Sequence, residues 1–193
     1  MKALVALSSV LVTAVSLSAA DSGTLRKAPE LAFNVPGQGQ KLLSQYRGKV
    51  VALEFIFTTC PHCQAASHVM SKYQQEFGAR GFQALDIAVN DNADLLVENF
   101  AKEYNVAFPV GWTPRDQMIS FMGFSSGRFV VPQLVLIDRK GFIHYQTPAL
   151  EDPEWDKLMK EDVIHQHIDE LLSANASASR SSQSPGRVAL AKK

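Results

Sequence analysis

Cysteine is scarce in this chain of 193 residues: there are two, Cys60 and Cys63. A bridge between them would close a loop of only two residues, which removes little chain entropy, so the pair is excluded as a major staple of the fold. Net charge is lacking too, with 19 basic and 19 acidic residues. Between Ala28 and Leu172 twelve Lys and Arg stand against eighteen Asp and Glu, so the body of the chain is mildly acidic and offers no footprint for nucleic acid. No apolar run reaches the roughly 20 residues that a membrane span needs. Internal repeats are absent as well.

What is present begins with an export signature. Lys2 is a minimal charged start, Leu4 to Leu17 is apolar apart from Ser and Thr, and Ser18-Ala19-Ala20 supplies small residues for cleavage. The expectation is a signal peptide over residues 1–20, a mature chain from Asp21 and a polar leader over 21–27; an uncleaved anchor is the alternative. No cysteine adjoins the junction, which argues against a lipoprotein. The setting implied is exported and oxidising, a bacterial periplasm, where a lone cysteine pair can persist as a disulfide. One domain is expected over residues 28–172. From Ser173 onward Ser, Ala, Arg and Pro dominate without periodicity, which predicts a disordered tail over 173–193.

Within the domain, Leu31-Ala32-Phe33 and Lys41-Leu42-Leu43 flank a Pro36–Gly39 breaker and read as a hairpin. Val50 to Phe57 is almost wholly apolar, as expected of a strand covered on both faces. Ala66, Val69, Met70, Tyr73 and Phe77 recur at helical spacing after Pro61, and Gly78 and Gly81 end that helix. Phe82–Val89 reads as a strand and Asp94–Tyr104 as a helix, giving the β-α-β-α order of parallel crossovers. Phe108-Pro109-Val110 is expected at a sheet edge and Asp116–Met122 as a short helix. Val131–Ile137 and Phe142–Thr147 form a hairpin around Asp138–Gly141, and Val163 to Leu172 closes the chain as an amphipathic helix.

The chemistry concentrates where the first long strand meets its helix. Cys60 would stand at the helix N-terminus, where unpaired N–H groups and the helix dipole favour a thiolate, so it is the candidate nucleophile. Cys63, one turn further on, is the candidate resolving thiol. His62 between them could place a donor or positive charge beside Cys60 and make a disulfide more oxidising; the plain alternative is an exposed histidine without consequence. Glu54 is the one acid in the apolar run. Burial there should raise its pKa and suit it to exchange a proton with Cys63, unless it reaches solvent or pairs with a lysine. His68 falls on the solvent face of its helix, His144 on a hairpin strand, and His165 and His167 beside the apolar face of the last helix.

The order of elements, with Arg47-Gly48-Lys49-Val50-Val51, Cys60-Pro61-His62-Cys63, Phe108-Pro109-Val110 and the run from Val131 to Ile143, resembles the TlpA/ResA-like branch of the thioredoxin-like superfamily over residues 28–172. The resemblance implies an α/β fold with a central mixed sheet flanked by helices and an N-terminal β-hairpin extension. It also implies a cis peptide at Val131-Pro132 facing the cysteines, where the Val131 backbone would pair with an incoming chain as an added strand. Two details depart from that branch: Thr59 stands where Trp is usual, and Glu54 where Asn is common. Glu54, the Pro-His dipeptide and Val131 instead resemble the disulfide-donating DsbA group, although the stretch between Val89 and Pro132 is too short for DsbA's helical insertion.

The implied activity is protein dithiol–disulfide oxidoreduction through Cys60 and Cys63 on cysteines of exported proteins, with a redox partner protein. No cofactor or metal is expected, and a monomer is. The direction of electron flow stays open, since the dipeptide leans to oxidation or isomerisation and the scaffold to reduction. A copper chaperone using the same thiols is the alternative, although Sco-like proteins carry Cys-x-x-x-Cys and the spacing here is one residue shorter. A peroxidase reading is weaker, because peroxiredoxins resemble one another in a Thr three residues before the reactive cysteine, where this chain has Phe57.

Overall fold

The computed structural model describes residues 25–181, so the expected signal peptide lies outside the described residues. The strands are β1 (Arg26–Lys27), β2 (Ala32–Val35), β3 (Gly39–Leu42), β4 (Val50–Ile56), β5 (Phe82–Ala88), β6 (Val110–Trp112), β7 (Gln133–Ile137) and β8 (Phe142–Gln146). The α-helices are α1 (Pro61–Phe77), α2 (Ala93–Glu103), α3 (Arg115–Met122), α4 (Pro153–Leu158) and α5 (Glu161–Ser181).

All eight strands form one sheet in the order β1-β8-β7-β4-β5-β6-β2-β3. Strands β4, β5 and β6 run parallel, as their helical crossovers require, while β7 pairs antiparallel with β4 and β8 with β7. The mixed sheet and its flanking helices are those the resemblance implies.

β4 is apolar along its length because it lies between β5 and β7 with both faces covered, and all seven of its residues are buried. Side chains alternate between the faces. Val51, Leu53 and Phe55 join Leu85, Ile87, Val135, Met118 and Phe121 on the α3 side. Val50 and Ala52 join Met70, Phe77, Phe82, Leu136, Ile164 and Ile168 under α1 and α5. The period of two therefore puts Glu54 on the α1 face.

Several elements differ from expectation. The strand expected at Phe108–Val110 lies two residues later and is not at an edge, because the β2–β3 hairpin continues the sheet beyond it. At that junction Gly111 leaves no room for a side chain: a Cβ would stand 2.7 Å from the Asn34 carbonyl oxygen. β1 adds an unanticipated outer strand on β8. Helix α5 runs on to Ser181, past the boundary expected at Leu172, and residues 182–193 lie outside the described residues.

Helix α4 was likewise not anticipated from its acidic sequence. It starts because the Asp152 carboxylate accepts hydrogen bonds from the backbone N–H groups of Glu154 (2.9 Å) and Trp155 (2.8 Å), with Pro153 at the first helical position. Asp152→Ala should cost about 1 kcal/mol in denaturant unfolding. It should also alter the fluorescence of Trp155, which that cap positions.

Candidate active site

The C-terminal end of β4 delivers the chain through Thr58 and Thr59 to Cys60, the N-cap of α1. Asn90, just beyond β5, holds this turn: its Oδ1 accepts from the Thr58 N–H (2.9 Å), and its Nδ2 donates to Thr58 Oγ1 (3.1 Å). Pro61 begins the helix at the position where a missing N–H costs nothing. The Cys63 N–H donates to Cys60 Sγ at 3.4 Å, so the outer sulfur faces the open first turn of the helix.

The two thiols have different surroundings. Cys60 is partly exposed, and Cys63 is wholly buried among Ile56, Ala88, Val97 and Phe100. Burial is the main influence pushing the Cys63 thiol pKa far up; the hydrogen bond with Cys60 and the charges of Cys60 and Glu54 push the same way, against the Phe57 backbone.

Across from Cys60 lies the Val131–Pro132 peptide, which is cis. Cys60 Sγ stands 3.9 Å from the Val131 carbonyl oxygen. Pro132 is buried and Val131 half-buried. Gln133, wholly buried, anchors this segment: its Nε2 donates to the Val130 carbonyl (2.9 Å) and the Pro148 carbonyl (3.1 Å), and its Oε1 accepts from Thr147 Oγ1 (2.7 Å). His62 is exposed and makes no hydrogen bond or ion pair among the described residues. It lines a shallow groove with Pro132, Val69, Trp155 and Met159.

Glu54 is wholly buried on β4 and forms no ion pair with a lysine among the described residues, so neither alternative, a path to solvent or a lysine partner, applies there. Its pKa is raised well above the ordinary value, first by burial and then by Asp86 beside it on β5. Asp86 and Ser67 were missed in reading the sequence. Asp86 is the only charged residue of its strand, the same sign that marked Glu54, and it could have been found that way. Ser67 carries no such mark.

The remaining histidines stand apart from the cysteines in their contacts. His68 is exposed; His144 contacts Asp138 (3.1 Å), His165 contacts Glu76 (2.9 Å) and His167 contacts Glu170 (3.3 Å). Among the described residues no group of three or more His, Cys, Asp or Glu is arranged to hold a metal ion.

A mixed sheet with helices on both faces, a Cys-x-x-Cys opening the first helix and an X-Pro segment facing it define a thioredoxin-like protein. Residues 25–146 match the AhpC/TSA family, and the chain belongs to that family. Its relatives include thiol-disulfide oxidoreductase ResA of Bacillus thuringiensis subsp. konkukian, 29% identical over 105 residues, 54% of this chain and 58% of the relative. ResA of Geobacillus kaustophilus is 31% identical over 99 residues, 51% of this chain and 54% of the relative. The chain thus spans somewhat more than half the length of these curated relatives. Among solved structures, one from Chlorobium tepidum, provisionally named thiol:disulfide interchange protein DsbE, superposes with a TM-score of 0.62 at 25% identity. The match covers 77% of this chain and 96% of that one. Among the described residues no helix is long and apolar enough to cross a membrane.

Proposed function

We propose that this chain is an exported thiol–disulfide oxidoreductase exchanging disulfides with cysteines of other exported proteins. The observation that carries the proposal is the asymmetric pair: a partly exposed Cys60 at a helix N-cap, 3.9 Å from the Val131 carbonyl, with a buried Cys63 one turn behind it. The names of the ResA relatives and of the Chlorobium structure support the same chemistry.

In the reducing sense, the Cys60 thiolate attacks one sulfur of a substrate disulfide. A Cys60–substrate disulfide forms, and the other substrate sulfur leaves as thiolate and takes a proton from solvent. Cys63 then gives up its proton and attacks Cys60 Sγ; the Cys60–Cys63 bond forms and the second substrate thiolate departs. The substrate gains two electrons and the cysteine pair loses two, and the oxidising sense is the same sequence reversed. The substrate strand lies along Val131, and His62 and the groove beside it contact the flanking residues. Glu54 accepts the Cys63 proton. Neither a cofactor nor a metal takes part.

Cys63→Ser leaves the first step intact and removes the second. Purified from the native compartment without reductant, this variant should carry partner proteins in reductant-sensitive adducts on Cys60, and its mature chain should begin at Asp21 by mass. Absence of adducts under oxidising conditions, with stoichiometric copper binding by the native protein instead, would refute the proposal.

A further inference from the structure

Glu54 and Asp86 are register partners on parallel neighbours β4 and β5, on the face covered by α1. Both are wholly inaccessible to solvent. Neither oxygen of Glu54 nor Oδ1 of Asp86 has a hydrogen-bond partner, and no lysine, arginine or histidine forms an ion pair with either residue among those described. Their outer register neighbours, Leu134 on β7 and Val110 on β6, do not titrate. The titratable groups facing the pair come from α1: Cys63 and Tyr73, whose hydroxyl donates to the Glu161 carbonyl (2.7 Å).

Two adjacent buried carboxyls without a cation cannot both be ionised at ordinary cost. Ser67 adds an independent count of hydrogens. Its Oγ is 3.0 Å from the Cys63 carbonyl oxygen and 2.5 Å from Asp86 Oδ2. A hydroxyl has one hydrogen and a carbonyl oxygen can only accept. Both contacts are full hydrogen bonds when Ser67 donates to Cys63 and Asp86 carries a proton that it donates to Ser67.

We propose that Glu54 and Asp86 share a proton and work as one acid–base unit behind Cys63, with Ser67 as the positioning residue that ties Asp86 to the Cys63 backbone. This deepens the disulfide-exchange reading and rests on it. When Cys63 attacks Cys60 Sγ of a mixed disulfide, the S–H proton passes to the singly charged pair, which becomes neutral. The Cys60–Cys63 bond forms and the substrate sulfur leaves with its electron pair. Running in reverse, the neutral pair returns the proton to Cys63 as the disulfide is reduced. The pair accepts and donates without ever placing two charges in the core. Burial raises both carboxyls, and Asp86 raises Glu54 further, while hydrogen bonding to Ser67 and Glu54 draws Asp86 part of the way back down.

The test uses the reduced full chain and an aromatic disulfide, 5,5′-dithiobis(2-nitrobenzoate), which needs no physiological partner. Cys60 releases one thionitrobenzoate on attack and Cys63 releases the second on closing the disulfide, so the second phase reports the step assigned to the pair. Glu54→Gln should slow that phase roughly tenfold or more at pH 7 and leave the first unchanged. Asp86→Asn should move the midpoint of its pH profile down by about one unit, because a lone Glu54 ionises without a neighbouring acid. An equal slowing at every pH with an unmoved midpoint would make Asp86 merely structural and overturn the proposal. Should either variant fail to fold, carboxyl-carbon NMR of the native protein decides: two linked titration steps with one above pH 6 support the shared proton, and ionisation of both below pH 5 overturns it. A failed partner trap with an intact second phase would instead fault the choice of substrate.

Discussion

Offered a thiol reagent at neutral pH, the reduced protein should react at Cys60 on the order of a hundredfold faster than at Cys63, or more. The nucleophile is the thiolate, and each unit by which a thiol pKa rises cuts its population tenfold. Cys63 is 0% exposed and held up by burial first, then by Cys60 and by the Glu54 charge. Reagent access opposes it as well, while Cys60 stands partly open at the N-cap of α1. Iodoacetamide labelling of the single variants Cys60→Ser and Cys63→Ser, followed by mass spectrometry, reads the ratio directly. Comparable rates would mean that the two sulfurs exchange roles, and the order of steps above would fail. Cys60→Ser should correspondingly abolish exchange, since no accessible thiol remains.

Stability should fall as pH rises from about 4.5 through neutrality, by up to about 1.4 kcal/mol per pH unit for each carboxyl that ionises in the unfolded chain but not in the folded one. The sign follows from Glu54 and Asp86, whose folded pKa values are both raised by burial. Between the unfolded and the folded pKa the native state binds more protons, so unfolding releases them and is favoured by rising pH. Their contribution is fully present below the unfolded pKa and is lost as pH passes through the folded values. Asp138 and Glu30 act oppositely: hydrogen bonds and, for Asp138, His144 lower their pKa values, so what they contribute is lost at more acidic pH. Denaturant unfolding of the native chain and of Glu54→Gln/Asp86→Asn across roughly pH 3–8 should give curves that share a slope below about pH 4.5 and diverge above it. Parallel curves throughout would show that the two carboxyls titrate normally and are not held protonated by the core.

Much of this was legible in local pattern. The run from Val50 to Ile56 betrayed a strand covered twice, and one acid within it betrayed Glu54. Pro61 and the spacing after it gave α1, and Cys60 fell at its cap. What escaped depends on which strands become neighbours. Asp86 matters because the parallel register sets it beside Glu54, and no local period encodes register. β6 was placed at an edge because the strand that covers it, β2, comes from the far end of the domain. Gln133 looks like an ordinary residue after a proline, since its side-chain partners lie in the loop before it and beyond β8. Helix α4 had too few apolar residues for a periodic signal and was announced only by Asp152 and Pro153.

The Gln133 side chain has a further consequence, for the entropy of docking. By holding the Val130 and Pro148 carbonyls and the Thr147 hydroxyl, it ties the segment that faces Cys60 to the segment leaving β8, so the ordering of that backbone is completed during folding. If the proposed exchange holds, an extended peptide settling along Val131 would lose freedom only in itself, and discrimination would fall to side chains lining the groove beside it, among them His62 and Trp155. Under the proposed exchange, a shelf of this kind would favour breadth of sequence over tight selection.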